Sequence, residues 1–267
     1  MCAFAKATEV SERNHSGFSA EKTLILPHLI AVVACGLFLT SAGCHWGSNR
    51  KNVVGTQLHQ QGHYTAAMQQ FQQVVAEDPG NPDGYYNLAA TMHRLAKDRQ
   101  DPKMMDDALN LYQQCLDLSP NHVECHRGLA VLLIDTGKPD RAFALVKNWA
   151  TRVPGAADPR IELARLYEET GDAGTALQHL ESAVQLDANN SRAWLALGRL
   201  RESGGDDAQA LQNYQRALAL NGGQPAVAER VAVLNRRLNS KIDASLNANN
   251  VMIAQPPPAP AVGRTQF

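Results

Sequence analysis

Apolar and small residues recur at a fixed interval through the middle of the chain. Within short segments they fall at i, i+3, i+4 and i+7, which is the period of an amphipathic helix. Residues that end helices separate these segments at intervals of 41, 34, 34 and 34 residues, and they are Pro79, Pro120, Pro154, Ala188 and Gly222. A fixed period of this length is typical of a solenoid built from repeated units.

The segment from Asn81 to Pro120 shows the repeated unit as a pair of helices. Asn81 is suited to cap the first helix, and Pro82 is suited to its first turn. This unit is seven residues longer than the units that follow it. We expect the insertion to form an extended turn over residues 96–104, with Asp101 and Pro102 at its tip.

Two positions of the repeat hold small residues in every unit. The position in the first helix is occupied by Gly55, Ala89, Ala130, Ala164 and Gly198. The position in the second helix is always alanine, at Ala67, Ala108, Ala142, Ala176 and Ala210. Because small residues let two helices approach closely, each unit is predicted to fold as a tight helical hairpin with the two positions facing each other.

The composition agrees with an all-helical protein and argues against nucleic acid as its partner. Hydrophobic residues make up 44% of the chain and aromatic residues 6%, and the formal net charge is -1. Alanine, leucine, glutamine and arginine are plentiful, which favours helices over strands. No long basic run is present, so the electrostatic footprint of a nucleic-acid-binding protein is missing.

The repeat resembles the tetratricopeptide repeat, whose pattern has Trp, Leu-Gly and Tyr in the first helix and Ala, Phe and Pro in the second. In the fifth unit the pattern is carried by Trp194, Leu197, Gly198, Ala210, Tyr214 and Ala217. In the first unit it is carried by Val54, Gly55, Ala67, Phe71 and Pro79. The resemblance implies an all-α, right-handed superhelical solenoid of about five hairpins that serves as a protein-binding module.

The resemblance and the period together define the expected boundaries. The five hairpins are predicted at residues 48–79, 82–120, 123–154, 157–188 and 191–222. Residues 225–239 are predicted to form a helix that caps the last hairpin, since a solenoid needs a terminal element with a polar outer face. Residues 240–267 are predicted to be a disordered tail rich in proline and asparagine.

The N-terminus is predicted to be a targeting segment, residues 1–43. Leu24 to Thr40 is an uncharged apolar run of 17 residues that follows Lys22, and as a helix it would reach only about 26 Å. The small residues before Cys44 resemble the lipobox of bacterial lipoproteins, in which the cysteine is lipidated. Cys35 is the rival position, and an uncleaved signal anchor or a chance apolar stretch is the alternative. The resemblance implies a lipid-anchored envelope protein that faces the periplasm, anchored in the outer membrane.

The tetratricopeptide resemblance places a partner-binding groove on the first helices of the hairpins. Its predicted lining is Asn52, Thr56, His59, Tyr86, Ala90, His93, Arg127, Val131, Ile134, Ile161, Arg165, Glu168, Leu195, Arg199 and Glu202. Arg127, Arg165 and Arg199 occupy one position in successive units and can bind a carboxylate as a stack. The alternative is that these arginines pair with Glu168 and Glu202 on their own helices.

The cysteines and histidines of the repeats are weaker candidates for a functional site. Cys115 and Cys125 are predicted to form either a disulfide or two separate buried thiols. His59 and His63 are predicted to be a surface pair, since Gly62 ends the helix between them. The sequence contains no glycine-rich phosphate loop and no zinc-binding spacing.

The sequence therefore predicts a non-enzymatic scaffold without a cofactor, metal or small-molecule substrate. It is expected to hold a partner protein or peptide in its concave groove. The alternative is an assembly factor that works through the edges of the solenoid and the tail. A third possibility is an accessory subunit of an envelope enzyme complex.

Overall fold

The structure is a computed structural model that describes residues 49–253, with side chains described to residue 246. Within this range the chain forms eleven helices and no strand. They are α1 (49–60), α2 (Tyr64–Glu77), α3 (Pro82–Arg99), α4 (Pro102–Leu118), α5 (Val123–Asp135), α6 (Pro139–Arg152), α7 (Asp158–Glu169), α8 (Ala173–Leu186), α9 (Ser191–Ser203), α10 (Asp207–Leu220) and α11 (Pro225–Ile253). The predicted all-α solenoid of five hairpins with a terminal helix is confirmed. The targeting segment with Cys35 and Cys44 lies outside the described residues.

The turns follow the local sequence. Gly62, Gly137, Gly171 and Gly205 have positive φ, between 71° and 84°, which glycine adopts without steric cost. Four of the hairpins turn at one of these glycines. Asn81 caps α3 as predicted, because its side chain accepts a hydrogen bond from the backbone N–H of Gly84, and Pro82 occupies the first turn.

The predicted extended turn in the second hairpin is wrong, because the insertion lengthens the helices instead. α3 has 18 residues and α4 has 17, whereas the helices of the next three hairpins have 12 to 14. The turn consists of Gln100, in the left-handed region at φ 54°, and Asp101, whose side chain caps α4 at Met104. Leu95 and Ala96 continue the buried stripe of α3, so burial favours additional helix over an open loop.

The core consists of contacts within each hairpin and between neighbouring hairpins. All five alanines of the repeated second-helix position are 0% exposed. A Cβ added at Gly55 would lie 2.6 Å from the Phe71 ring, and one at Gly198 would lie 2.8 Å from the Tyr214 ring. The small residue therefore faces a ring rather than the predicted alanine at these two hairpins, and glycine makes the close approach of the helices possible.

The C-terminal helix corrects a second prediction. α11 continues from Pro225 to Ile253, fourteen residues past the predicted end at Asn239. The predicted disordered tail therefore begins in a helix, and its proline-rich part lies outside the described residues. None of the described helices is both long enough and apolar enough to cross a membrane.

We expect replacement of Trp149 by alanine to reduce the free energy of unfolding by about 3–5 kcal/mol. Trp149 is 1% exposed and stacks on His126 at a centroid distance of 4.1 Å, so its loss leaves a cavity between the two helices of the third hairpin. Urea denaturation followed by circular dichroism measures the change. Leu186→Ala, at a residue 40% exposed on α8, is the control and should change the free energy by no more than about 0.5 kcal/mol. Equal losses in both variants would contradict the assigned packing.

Candidate functional site: the concave face

The odd-numbered helices line the inner face of the solenoid. α3 contacts α5, α5 contacts α7, and α7 contacts α9. Among the described helices, no two consecutive even-numbered helices contact each other. Because neighbouring hairpins are closer on the odd-numbered side, that side is concave. The predicted groove residues lie on these helices.

At the N-terminal end, polar side chains of the groove bond to each other between hairpins. Asn87 donates a hydrogen bond to the side-chain oxygen of Asn52 at 2.8 Å. His59 lies 3.0 Å from the hydroxyl of Thr91, which is fully buried and donates to the Asn87 carbonyl. Thr56 donates to the carbonyl of Asn52 within α1. The side chains of Asn52 and His59 therefore join α1 to α3, and all three groove residues are already hydrogen-bonded.

A second connection joins α3 to α5 at Asp135. Nε2 of His93 lies 3.1 Å from one oxygen of Asp135, and Lys97 donates to both oxygens at 2.9 Å. His93 is 8% exposed, and its burial lowers the pKa of the imidazole more than Asp135 raises it. His93 therefore helps to hold two hairpins together and is buried rather than exposed in the groove.

Glu162 on α7 is the centre of the C-terminal half of the groove. Its side chain is 1% exposed. Arg127 on α5 donates to its two oxygens at 3.0 and 3.1 Å, and Arg165, also on α7, donates at 3.2 Å. Arg192 on α9 donates to it at 2.9 Å and also binds Asp158 at 3.0 Å. One buried carboxylate thus joins three consecutive hairpins.

This network corrects the predicted pairing of the groove arginines. Arg165 pairs with Glu162 and Glu169 rather than Glu168. The hydrogen bonds to Glu162 raise the pKa of Arg127. Arg127 and Arg165 share a carboxylate of the chain itself, so the predicted stack of three free guanidinium groups does not form.

Arg199 differs from the other two arginines. It is exposed on α9, and its side chain forms neither a hydrogen bond nor an ion pair with any other described residue. The position three residues before it is Ala196, whereas Arg165 has Glu162 at that position. The chain therefore has no acidic residue three positions before Arg199 on α9.

Glu202 belongs to a separate cluster that attaches α11. Arg230 donates to it at 2.8 Å, and the Tyr214 hydroxyl donates to the same oxygen at 3.0 Å. The hydrogen bond from Arg230 lowers the pKa of Glu202. Burial, together with Glu202, raises the pKa of Tyr214 to about 12. The predicted pair between Arg199 and Glu202 is therefore replaced by pairing with α11.

Two adjacent cavities open on this half of the groove. One has a volume of about 380 Å³ and lies between α5, α7 and α9. The other has a volume of about 490 Å³ and lies between α9, α10 and α11. Leu195 and Arg199 line both cavities. Glu168, which is exposed, lines the first cavity, and Glu202 lines the second.

The remaining predicted groove residues are mainly structural. Ile161 is 7% exposed, and Ala90 and Ile134 pack against the core. Tyr86 is half-buried between the rings of Tyr112 and His122, with centroid distances of 6.3 and 5.4 Å. Val131 is half-buried. These side chains shape the apolar part of the groove.

The two cysteines in the described range are free, buried thiols, so this structure contains no disulfide between them. The thiol of Cys125 donates to the Tyr112 carbonyl at 3.2 Å. A hydrogen bond with Cys115, together with burial, raises the pKa of Cys125. Among the described residues, no group of three His, Cys, Asp or Glu side chains could hold a metal ion.

Sequence reasoning missed the residues that organise the groove, above all Glu162, Arg192 and Asp135. The available signal for Glu162 was its position three residues before Arg165, on the same helical face. The predicted pairs involved only acidic residues that follow the arginines. Glu162 and Arg127 are separated by 35 positions, so their pairing depends on how the hairpins stack.

We expect Glu162→Ala to destabilise the protein by about 3 kcal/mol, the low end of the range for a broken buried ion pair, because its arginine partners remain partly hydrated. Arg199→Ala should change stability by no more than about 0.5 kcal/mol, since it removes no internal partner. Chemical denaturation of both variants measures the difference. A neutral Glu162→Ala variant would refute the structural role of this carboxylate.

Comparisons with known proteins agree with this architecture. The model described as "TPR repeat" matches residues 55–95, and three described as "Tetratricopeptide repeat" match 101–150, 157–200 and 193–226. From 55 to 226, only residues 96–100 and 151–156 are left unmatched. No curated protein matches the chain.

The chain is also similar to several solved structures, and the first of those described here supports the fold. A thermophilic TPR protein of Thermus thermophilus is 23% identical, with 70% of this chain and 98% of that chain covered and a TM-score of 0.53. PilF of Pseudomonas aeruginosa is 16% identical, with 80% and 100% covered and a TM-score of 0.47. MamA of Desulfovibrio magneticus RS-1 is 15% identical, with 67% and 97% covered and a TM-score of 0.40. The chain is a tetratricopeptide repeat protein, and its fold is one that typically serves protein–protein interaction.

Proposed function

We propose that this protein is a non-enzymatic scaffold that binds an acidic, extended segment of a partner protein in the C-terminal half of its concave groove. The observation that carries the proposal is Arg199, an exposed cation without an internal partner where the two cavities meet. A carboxylate of the partner would supply the acceptor that the chain itself lacks at Ala196.

The two halves of the groove differ in the polar groups that they leave free. In the N-terminal half, Asn52, His59 and His93 are bonded to neighbouring helices. A ligand there would have to replace bonds that hold the hairpins together. In the C-terminal half the cavities are open, and Arg199 can accept a ligand without breaking any internal bond. The cost of binding is therefore lower in the C-terminal half.

The charge of the cavity walls favours an acidic partner. The walls contain three carboxylates, Glu162, Glu168 and Glu202, and six guanidinium groups, Arg127, Arg165, Arg192, Arg199, Arg230 and Arg237. Three further carboxylates, Asp158, Glu169 and Asp207, pair with wall arginines from just outside the cavities. Arg199 is the wall cation that has no such partner among the described residues. Its free charge attracts a ligand of the opposite sign.

The apolar part of the walls favours a peptide over a small anion. Ile161, Leu195 and Ala196 line the first cavity, and Val227 lines the second. An aliphatic or aromatic side chain can enter between them while a neighbouring carboxylate binds Arg199. Guanidinium groups bind carboxylates through two parallel hydrogen bonds, which also fixes the direction of the bound segment.

We also propose that the scaffold is held at a bacterial envelope membrane and faces the periplasm. The support is the uncharged run from Leu24 to Thr40 and the lipobox-like residues before Cys44. Each lipid methylene buried in a membrane contributes about 0.8 kcal/mol, so a multiply acylated cysteine would anchor the protein stably. The solenoid would then present its groove beside the membrane.

Arg199→Ala should weaken binding of the partner segment about tenfold or more, because a hydrogen bond to a charged group contributes roughly 1.5–3 kcal/mol. A photoreactive residue at Ala196 in cells identifies the segment, and fluorescence anisotropy with the corresponding peptide measures its affinity. Arg216→Ala is the matched control, since Arg216 is exposed on α10 and lines neither cavity. Equal affinity for the wild type and both variants would refute the groove proposal.

Cys44→Ala should abolish incorporation of a fatty-acid probe into the full-length chain, because the variant lacks the acceptor thiol. Cys35→Ala should retain the label. Gel fluorescence after metabolic labelling in a bacterial host reports both results. Loss of label only in Cys35→Ala would move the anchor to the rival cysteine, and absence of label in the wild type would indicate an uncleaved signal anchor.

A further inference from the structure

The first half of α11 occupies the place of the first helix of a sixth hairpin. Val227 and Leu234 are buried in a cluster with Ala210 and Tyr214 of the fifth hairpin. Arg230 reaches across to Glu202 on α9, as groove residues do between the other odd-numbered helices. Residues 225–238 therefore continue the solenoid by one helix.

The 34-residue period of the sequence also continues through α11. One period after Leu197, Gly198, Gly205, Asp206 and Ala210 come Val231, Ala232, Asn239, Ser240 and Ala244. Asn and Ser at 239 and 240 are residues suited to a turn and a helix cap. Residues 241–253 thus have the pattern of a second helix, although α11 passes through 239 and 240 without a break.

Because α11 is continuous, the sixth hairpin has no second helix. The small residue at this position is buried in all five complete hairpins, whereas Ala232 is exposed. Ile242 and Leu246, in the distal half of α11, are each 55% exposed. The helix therefore carries an uncovered face on its proximal half and exposed apolar residues on its distal half.

We propose that a second copy of this chain covers this face. The α11 helices of two copies pair antiparallel, so that the distal half of each helix supplies the missing second helix to the proximal half of the other. This is reciprocal exchange of an element around a two-fold axis, a common route to dimers. It involves the end of the solenoid and is independent of ligand binding in the groove.

The position of the axis follows from the exposed face of α11. The small and apolar residues of both halves lie on one face, because they recur at steps of four and three residues. These exposed residues are Ala228, Ala232, Asn235, Asn239, Ile242 and Leu246. An axis at residue 239 places Ala232 of one copy opposite Leu246 of the other. α11 extends from Pro225 to Ile253, so its midpoint is residue 239. The helix has the length and centring that a symmetric pair requires, over about 43 Å at 1.5 Å per residue.

Two of the cations of α11 are bound within their own chain. Arg237 and Lys241 each donate to Asp207 on α10 at 2.8 Å. The stretch 244–253 contains no charged residue. A parallel pair would place each remaining charge beside its own copy, which is unfavourable.

Cross-linking of Asn239→Cys in the full-length, detergent-solubilised chain tests the proposal. Residue 239 meets its own copy at the axis, so mild oxidation by copper phenanthroline and oxygen should join two chains through a disulfide that a reductant removes. Glu229→Cys is the matched control, because it is exposed on the same helix but away from the axis. The wild-type chain gives the background from the natural cysteines. Cross-linking of Glu229→Cys as strong as that of Asn239→Cys would overturn the proposal.

A second pair of variants measures self-association without added cysteines. Leu246→Glu should weaken dimerisation about tenfold or more, the factor that corresponds to 1.4 kcal/mol. Val53→Glu, which alters a residue equally exposed at the opposite end of the solenoid, should leave the dimer intact. Analytical ultracentrifugation gives both dissociation constants. A monomeric wild type, a dimer disrupted only by Val53→Glu, or an intramolecular disulfide in the double variant Ala232→Cys, Ala248→Cys would overturn the proposal.

Discussion

The close contact between the two helices of each hairpin determines the rest of this structure. A glycine or alanine in the first helix lets a large side chain of the second lie against the backbone, as Phe71 does at Gly55 and Tyr214 at Gly198. Because the small residue recurs at a fixed interval, each hairpin presents a similar surface to the next one. The core is therefore a sum of contacts between neighbours, and the chain needs no single central core.

This stacking also determines the chemistry of the concave face. Odd-numbered helices lie close together, so their polar side chains meet across the groove and must find partners there. Asp135 and Glu162 fulfil this role by accepting hydrogen bonds from adjacent hairpins. Groove residues of this kind stabilise the solenoid and are poor candidates for binding a ligand. Arg199 is different because the acidic residue found at position 162 is replaced by Ala196 one period later.

The parts of the structure that depend on local sequence could be predicted, and the parts that depend on stacking could not. The hairpins, the cap at Asn81 and the turn at Gly62 follow from residues close together in the chain. The bond between Lys97 and Asp135 joins residues 38 positions apart, so it depends on the angle between two hairpins. The insertion in the second hairpin was misassigned because hydrophobic residues such as Leu95 and Ala96 can occur either in a longer helix or in a loop. The sequence pattern alone does not distinguish the two structures. Only the burial of Leu95 and Ala96 distinguishes the two.

The exposed surface of α11 combines the features of a terminal helix with those of a helix that packs against another. A helix that terminates a solenoid is expected to turn a polar face outward, and Arg236 and Asn239 meet this expectation by being exposed. However, α11 also has small residues, Ala228 and Ala232, at positions where a following helix could pack closely. Both residues are exposed. A sequence that only capped the fifth hairpin would have no need to continue the period to Ala244. The retained period therefore argues that α11 is an interface as well as an end, and that the solenoid is completed by a helix that its own chain does not place there.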